Sequence, residues 1–358
     1  MIEIDSMSSR TRRSIALGVM ATLPLALIRP NRAWGQAQAS PPQASAVDPK
    51  NERLLQQVEW RLQQAGGSRV VELSFHAPSG KLAIGYESGS IEAWTGADAP
   101  VVVPAHRGRA NSIRFGPIGD YFISNSYFDD ATRIWDARTG APLHVIPGTR
   151  GPVSETSLDG IFVVAGSSAL HLYDHASRRL SPPAVPAPSG VPLSLAWHAA
   201  TKSVAMGTAS GTLDLWRVDG SGVRAEVWRA GTARPYATGD WIVATGFSRD
   251  GRAAYTVTRS GVLAEWSLEP LERKRTIPLG LRFVHSARFH NDSDVVALAG
   301  TLTAGGLEEG AVEIVSLKAN RPNALHRVSS NLAAIAFVPR DKLLLVVSHS
   351  RVHRIAWI

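Results

Sequence analysis

The chain contains no cysteine. That absence excludes disulfides, thiolate-held metals, a cysteine nucleophile and a lipid-modified N-terminal cysteine. Catalytic signatures are missing as well: there is no G-x-S-x-G elbow, no H-E-x-x-H pair and no G-x-x-x-x-G-K phosphate loop. Gly220-Ser221-Gly222-Val223-Arg224-Ala225 spells a dinucleotide fingerprint in letters. No helix follows it, so nothing there would hold a pyrophosphate, and a tight hairpin is the expected structure. Charged residues make up only 19% of the 358, and the surplus of 38 basic over 30 acidic residues is diffuse. Residues 1–39 hold five arginines and two acids, which leaves 33 basic against 28 acidic residues for the remainder. Such a scatter is no nucleic-acid footprint. No apolar run is long enough to span a membrane, the best being the mild stretch Ile15 to Ile28.

What is present begins with an address. Thr11-Arg12-Arg13-Ser14-Ile15 resembles a twin-arginine export signature, and the apolar run follows it. Ala37-Gln38-Ala39 is a small-x-small cleavage site, so cleavage is expected after Ala39 and the destination is periplasmic. Residues 1–39 are therefore read as an export signal peptide, with Met7 an alternative start to Met1.

Residues 40–57 are read as a linker and a short helix, and 58–358 as the folded domain. Asp48-Pro49 supplies a helix start, and Leu54, Leu55, Val58 and Leu62 share one helical face. A short helix to about Gln57 is expected, followed by Val58 to Gln63 as a strand.

The folded part is periodic. His106 to Ile146 holds four short strands: Ile113 and Phe115 alternate with polar neighbours, Gly119-Asp120 turns into Tyr121 to Ile123, and a third strand ends in Trp135-Asp136. Thr139-Gly140 then turns the chain into a fourth, Leu143 to Ile146. First-strand anchors recur at Phe75, Phe115, Ser157, Trp197, Phe247, Phe289 and Phe337, with gaps of 40, 42, 40, 50, 42 and 48 residues. Third-strand anchors fall at Trp94, Trp135, Tyr173, Trp216, Trp266, Val315 and Ile355. These spacings, with His106 and the Trp-Asp pair, resemble the WD-repeat family. The resemblance implies an all-β, seven-bladed β-propeller of four-stranded antiparallel blades, its last blade closed by an N-terminal strand, with six or eight blades as the alternatives. It implies a fold rather than a chemistry.

The anchor tryptophans are expected in the core, between neighbouring sheets. His76, His198 and His290 each follow a first-strand anchor, and a ring of them would be a copper or zinc site. Duplication of one turn residue explains the same spacing. Loops between blades and loops joining second to third strands emerge on one face of a propeller. That face is expected to collect Arg107, Arg109, Arg150, Arg229, Arg234, Arg259 and Arg351 with Tyr127, Phe128, Tyr236 and Trp241, the residue types of binding hot spots. Arg229 to Trp241 is read as the leading loop, and Thr301 to Gly310, Gly-rich and acidic, as a mobile one.

The expectation is an exported, non-catalytic protein-binding scaffold without a cofactor, a monomeric propeller within a complex that binds no nucleic acid and has no membrane span. A metal- or cofactor-containing periplasmic enzyme or electron-transfer protein is the alternative.

Overall fold

The computed structural model describes residues 49–357 except 65–67, 97–98, 167–168, 185–186, 221–225, 235, 237–238, 291–292, 305–306, 319–323, 329–331, 339–341 and 349–350. The export signal, with Arg12, Arg13 and Ala39, the linker 40–47 and most of the Gly220 to Ala225 turn lie outside the described residues.

Seven antiparallel sheets follow one another in chain order, as the spacing of the anchors predicts. They start at Val70, Ser112, Ile161, Pro192, Ile242, Phe283 and Leu332. Within each sheet every strand pairs with the next in sequence, so each blade is a meander. First strands pack against first strands around a central channel, and the last blade meets the first.

Seven hydrophobic clusters hold the ring, and each spans one seam between neighbouring blades. The second strand of blade 3 shows why its sequence is a continuous apolar run rather than an alternating one. In Ile161–Ala165, Phe162 and Val164 face blade 2 while Val163 and Ala165 face blade 4. Both faces of this strand are buried, and every residue in it is apolar. The expected tryptophans fill these seams: Trp94, Trp135, Trp216 and Trp266 are all at most 7% exposed.

Blades 3 and 7 have three strands each among the described residues. In blade 3 the first strand is reduced to one bridge, Val153 to Val164, and the anchor position Ser157 lies in a turn. In blade 7 the expected N-terminal strand is absent. Val58 to Gln63 continues the helix Pro49–Gln64, and the outer strand of the last blade, Arg351–Ala356, packs against that helix.

Burial accounts for the difference. A strand over 58–63 would turn Val58, Trp60 and Leu62 to one side; the helix instead buries Leu54, Leu55, Val58 and Leu62 together, none more than 4% exposed, and leaves Trp60 outside at 59%. Those four aliphatics join residues of blades 1 and 7 in a single cluster. The helix is also pinned electrostatically on both sides. Arg354 of blade 7 donates to both Glu52 oxygens at 2.7 Å, and Arg61 pairs with Glu92 of blade 1 at 3.2 Å. The Arg354 bond holds the Glu52 carboxyl below the usual range. An edge strand is thus covered by a helix rather than paired.

The segment Thr301 to Gly310, expected as a mobile loop, is a ribbon that prolongs blade 6. Thr301 pairs with Gly310, Leu302 with Glu309 and Thr303 with Glu308, because the second and third strands run on past the blade edge.

Candidate binding face and channel mouth

Backbone hydrogen bonds join the inter-blade loops to the loops between second and third strands: His106 donates to Gly89, Gly148 to Asp130, and Arg259 to Trp241. All these loops therefore share one rim, as expected. A buried network stiffens it at blade 2. His106 Nδ1 donates to Asp129 Oδ2 at 2.8 Å, and its Nε2 accepts from the Ser124 hydroxyl at 2.8 Å, which in turn accepts from Trp135 Nε1 at 2.8 Å. Burial lowers the His106 pKa, so the ring is neutral and both nitrogens have distinct roles. Arg133 donates to the same Asp129 oxygen at 2.6 Å.

From this frame the predicted residues go to several places. Arg107, Arg150, Arg234 and Arg351 are exposed on the rim. Phe128 is 66% exposed and lies against Gly108, where an added Cβ would come within 2.9 Å of its ring. Tyr236 turns inward instead: its hydroxyl lies 2.8 Å from Thr256 Oγ1, its ring packs edge-on to Trp266, and burial pushes its pKa up to about 12. Tyr127 points into the channel and donates to the Pro192 carbonyl at 3.2 Å. It reaches from blade 2 to blade 4 across the place where blade 3 lacks a full first strand.

Arg229 is a correction. The fourth strand of blade 4 runs Glu226–Ala233, so Arg229 belongs to that strand and the loop begins only at Arg234. Its guanidinium sits 4.8 Å from the Trp216 ring, donates to the Ala187 carbonyl and lies 3.7 Å from the buried Asp214, a seam contact rather than a rim one. Pairing across the blade, from Trp216 to Arg229, outweighed the loop-like composition.

The three histidines do not converge either. His76 bridges Ser79 at 2.7 Å and the Pro117 carbonyl of the next blade at 3.1 Å, with its ring 5.8 Å from Phe115. His198 repeats this with Thr201, the Arg249 carbonyl and Phe247. His290 packs on Phe337 and Trp357 at 5.2 and 5.0 Å. Their common position is that of a wedge between consecutive blades, each against the next blade's aromatic anchor. Among the described residues no group of three or more His, Asp or Glu is placed to hold a metal.

The channel itself holds a feature the sequence reading missed. Glu72, from the first strand of blade 1, accepts from Arg114 at 2.9 Å and from Arg288 of blade 6. Arg114 also pairs with Glu155 at 2.6 Å. Burial works against the Arg114 charge, but Glu155 and Glu72 outweigh it and raise its pKa. Two guanidinium groups meet two carboxylates, and the cluster is neutral.

Above it the balance changes. A cavity of about 210 Å³ at the channel mouth is lined by Arg69, Arg109, Arg259, Trp241, Phe283 and His285 together with Val70, Val71, Val243, Val284 and Leu332, and by no carboxylate. The Arg259 guanidinium carbon lies 4.6 Å from the Trp241 ring and 4.6 Å from the Phe283 ring. Among the described residues none of Arg69, Arg109 and Arg259 makes an ion pair through its side chain. His285 occupies a bulge between Val284 and Ser286, which turns its side chain into the mouth. Burial and then Arg259 and Arg69 lower its pKa, so the ring is neutral at pH 7.

Of the predicted face, the structure brings Arg109, Arg259 and Trp241 into this one cavity. Arg69, Phe283 and His285 were not singled out from the sequence, because each stands at the start of a first strand, where nothing local distinguishes a channel-facing position. In comparisons with known proteins, no family model matches the chain and no curated sequence matches it.

Proposed function

We propose that this chain is an exported, non-catalytic protein-binding scaffold, a WD-repeat-like propeller that presents its arginine- and aromatic-rich rim to another protein. The observation that carries the reading is the exposed Trp241, 40% accessible, against Arg259 beside Arg69 and Arg109 at the channel mouth. Tryptophan and arginine are the residues most enriched at the energetic centres of interfaces. The family resemblance rests on the repeat spacing and on His106 and Trp135, which share the Ser124 hydroxyl. Export rests on Arg12, Arg13 and the small-x-small site ending at Ala39. The partner is expected to be a protein, bound by one propeller.

The test is recovery of the tagged native protein from the periplasmic fraction in mild salt, with mass spectrometry of what elutes beside it. A stoichiometric protein that is lost on Trp241→Ala supports the reading. Elution alone, or a partner indifferent to that change, removes it, and absence from the periplasmic fraction removes the export assignment.

A further inference from the structure

The Arg259 side chain is held in an unusual way. Two rings lie 4.6 Å from its guanidinium carbon, Trp241 from the loop before blade 5 and Phe283 from the first strand of blade 6. Two such contacts restrict the motion of the guanidinium group. Among the described residues no carboxylate or carbonyl accepts from them. A planar fork held against two rings, with no acceptor among the described residues, matches one kind of ligand best, a planar carboxylate, which takes two parallel N–H bonds. Arg69 and Arg109 add charge from blade 1 and from the loop before blade 2, across the same cavity.

The surroundings decide the size and form of what enters. The mouth holds about 210 Å³, with Val70, Val71, Val243 and Leu332 on its walls, room for a side chain rather than a whole molecule. It continues outward, over Arg259, Phe283 and His285, into an open groove of about 750 Å³ along the seam of blades 5 and 6. That groove is flanked by Asp240 and by Glu308 of the ribbon. Asp240 is already engaged, accepting from the Ser260 amide at 3.2 Å and from its hydroxyl at 2.7 Å. A groove that ends in a small basic cavity fits an extended chain with one anchoring side chain. Three clustered arginines are too few to track a nucleic-acid backbone.

We propose that the partner bound by this rim presents an acidic peptide segment, which lies along the blade 5–6 groove and places one aspartate or glutamate carboxylate in the channel mouth, forked by Arg259 and neutralised by Arg69 and Arg109. The proposal rests on the protein-scaffold reading and names the chemistry of its partner.

An array of random dodecapeptides, probed with the purified full chain and with Arg259→Lys and Arg259→Met, tests it. Unfolding curves confirm that the variants are folded. The retained peptides are expected to be enriched in Asp and Glu. Changing the decisive acid to Asn or Gln should weaken binding roughly tenfold or more, as should Arg259→Met, with Arg259→Lys close behind because it keeps the charge but loses the fork. Retained peptides without acidic enrichment, or equal binding by Arg259→Met, overturn the proposal. So does competition by inorganic phosphate well beyond that of glutarate at equal concentration, which would make the pocket a phosphoryl site. A native partner lost on Trp241→Ala but no acidic enrichment overturns this proposal alone. Acidic peptides held through Arg259 in a protein that captures no native partner overturn the scaffold reading alone.

Discussion

At the seam between blades 7 and 1, Arg354 and Arg61 each meet a carboxylate, Glu52 and Glu92, and the helix Pro49–Gln64 lies across them. At the seam between blades 5 and 6, Arg259 lies against two rings, and among the described residues it pairs with no carboxylate. Both seams have an apolar cluster beneath. The ion pairs of the first complete a closure that lacks a strand, so their arginines are spent on the fold. The second is already closed by its two full blades, and its arginine stays available. A charged side chain that is ordered without an ionic partner marks the place where the molecule has affinity to offer.

Substitutions at the two seams should separate along that line. Leu55→Ala, at a helix position 1% exposed, is expected to cost about 3 kcal/mol in chemical denaturation. Peptide binding per folded molecule should be unchanged. A much smaller cost would mean that the helix does not close the ring.

Acidification should act on the whole frame. His76, His106, His175, His285, His326 and His353 all have pKa values lowered first by burial. Below the unfolded value of about 6.5 the unfolded chain binds more protons than the folded one, so stability is complete above that pH and is lost as pH falls through it toward the folded values. Melting temperatures should drop from pH 7 to pH 5, and His106→Gln should flatten part of the slope.

Arg354→Met is expected to cost about 1 kcal/mol, a modest figure because Glu52 is a third exposed and water screens the pair. Arg259→Lys should change stability by less than about 0.5 kcal/mol while weakening acidic-peptide binding. An equal stability cost for these two would erase the distinction between the seams.

The repeat was legible because each blade is made from hairpins whose partners lie close in sequence. Phe115, Phe247, Trp94 and Trp216 mark their strands through local alternation and turn residues alone, and the structure buries them in the seams. Ser157 already signalled the weak point, being the one polar anchor, and blade 3 has no full first strand there. Other features had no local signal. Arg229 reads as loop because small residues, Ala230 to Ala233, follow it, yet strand pairing with Trp216 carries it onto the outer edge of blade 4. Thr301 to Gly310 reads as a flexible insertion until its two halves pair.

The sequence by itself determined the repeat and the fate of the anchor aromatics, since these follow from periodicity within about forty residues, while the count of seven sheets, with six and eight still open in the sequence, was decided by the structure. Only the tertiary structure decided that 58–63 is helix. The local pattern of Leu54, Leu55, Val58 and Leu62 already suits a helix, the expectation of a strand came from closure, and the apolar face of the helix joins blades 7 and 1 in one cluster. It also decided that Arg69, Arg109 and Arg259 share a cavity, because residues up to 190 positions apart meet only when the ring has closed.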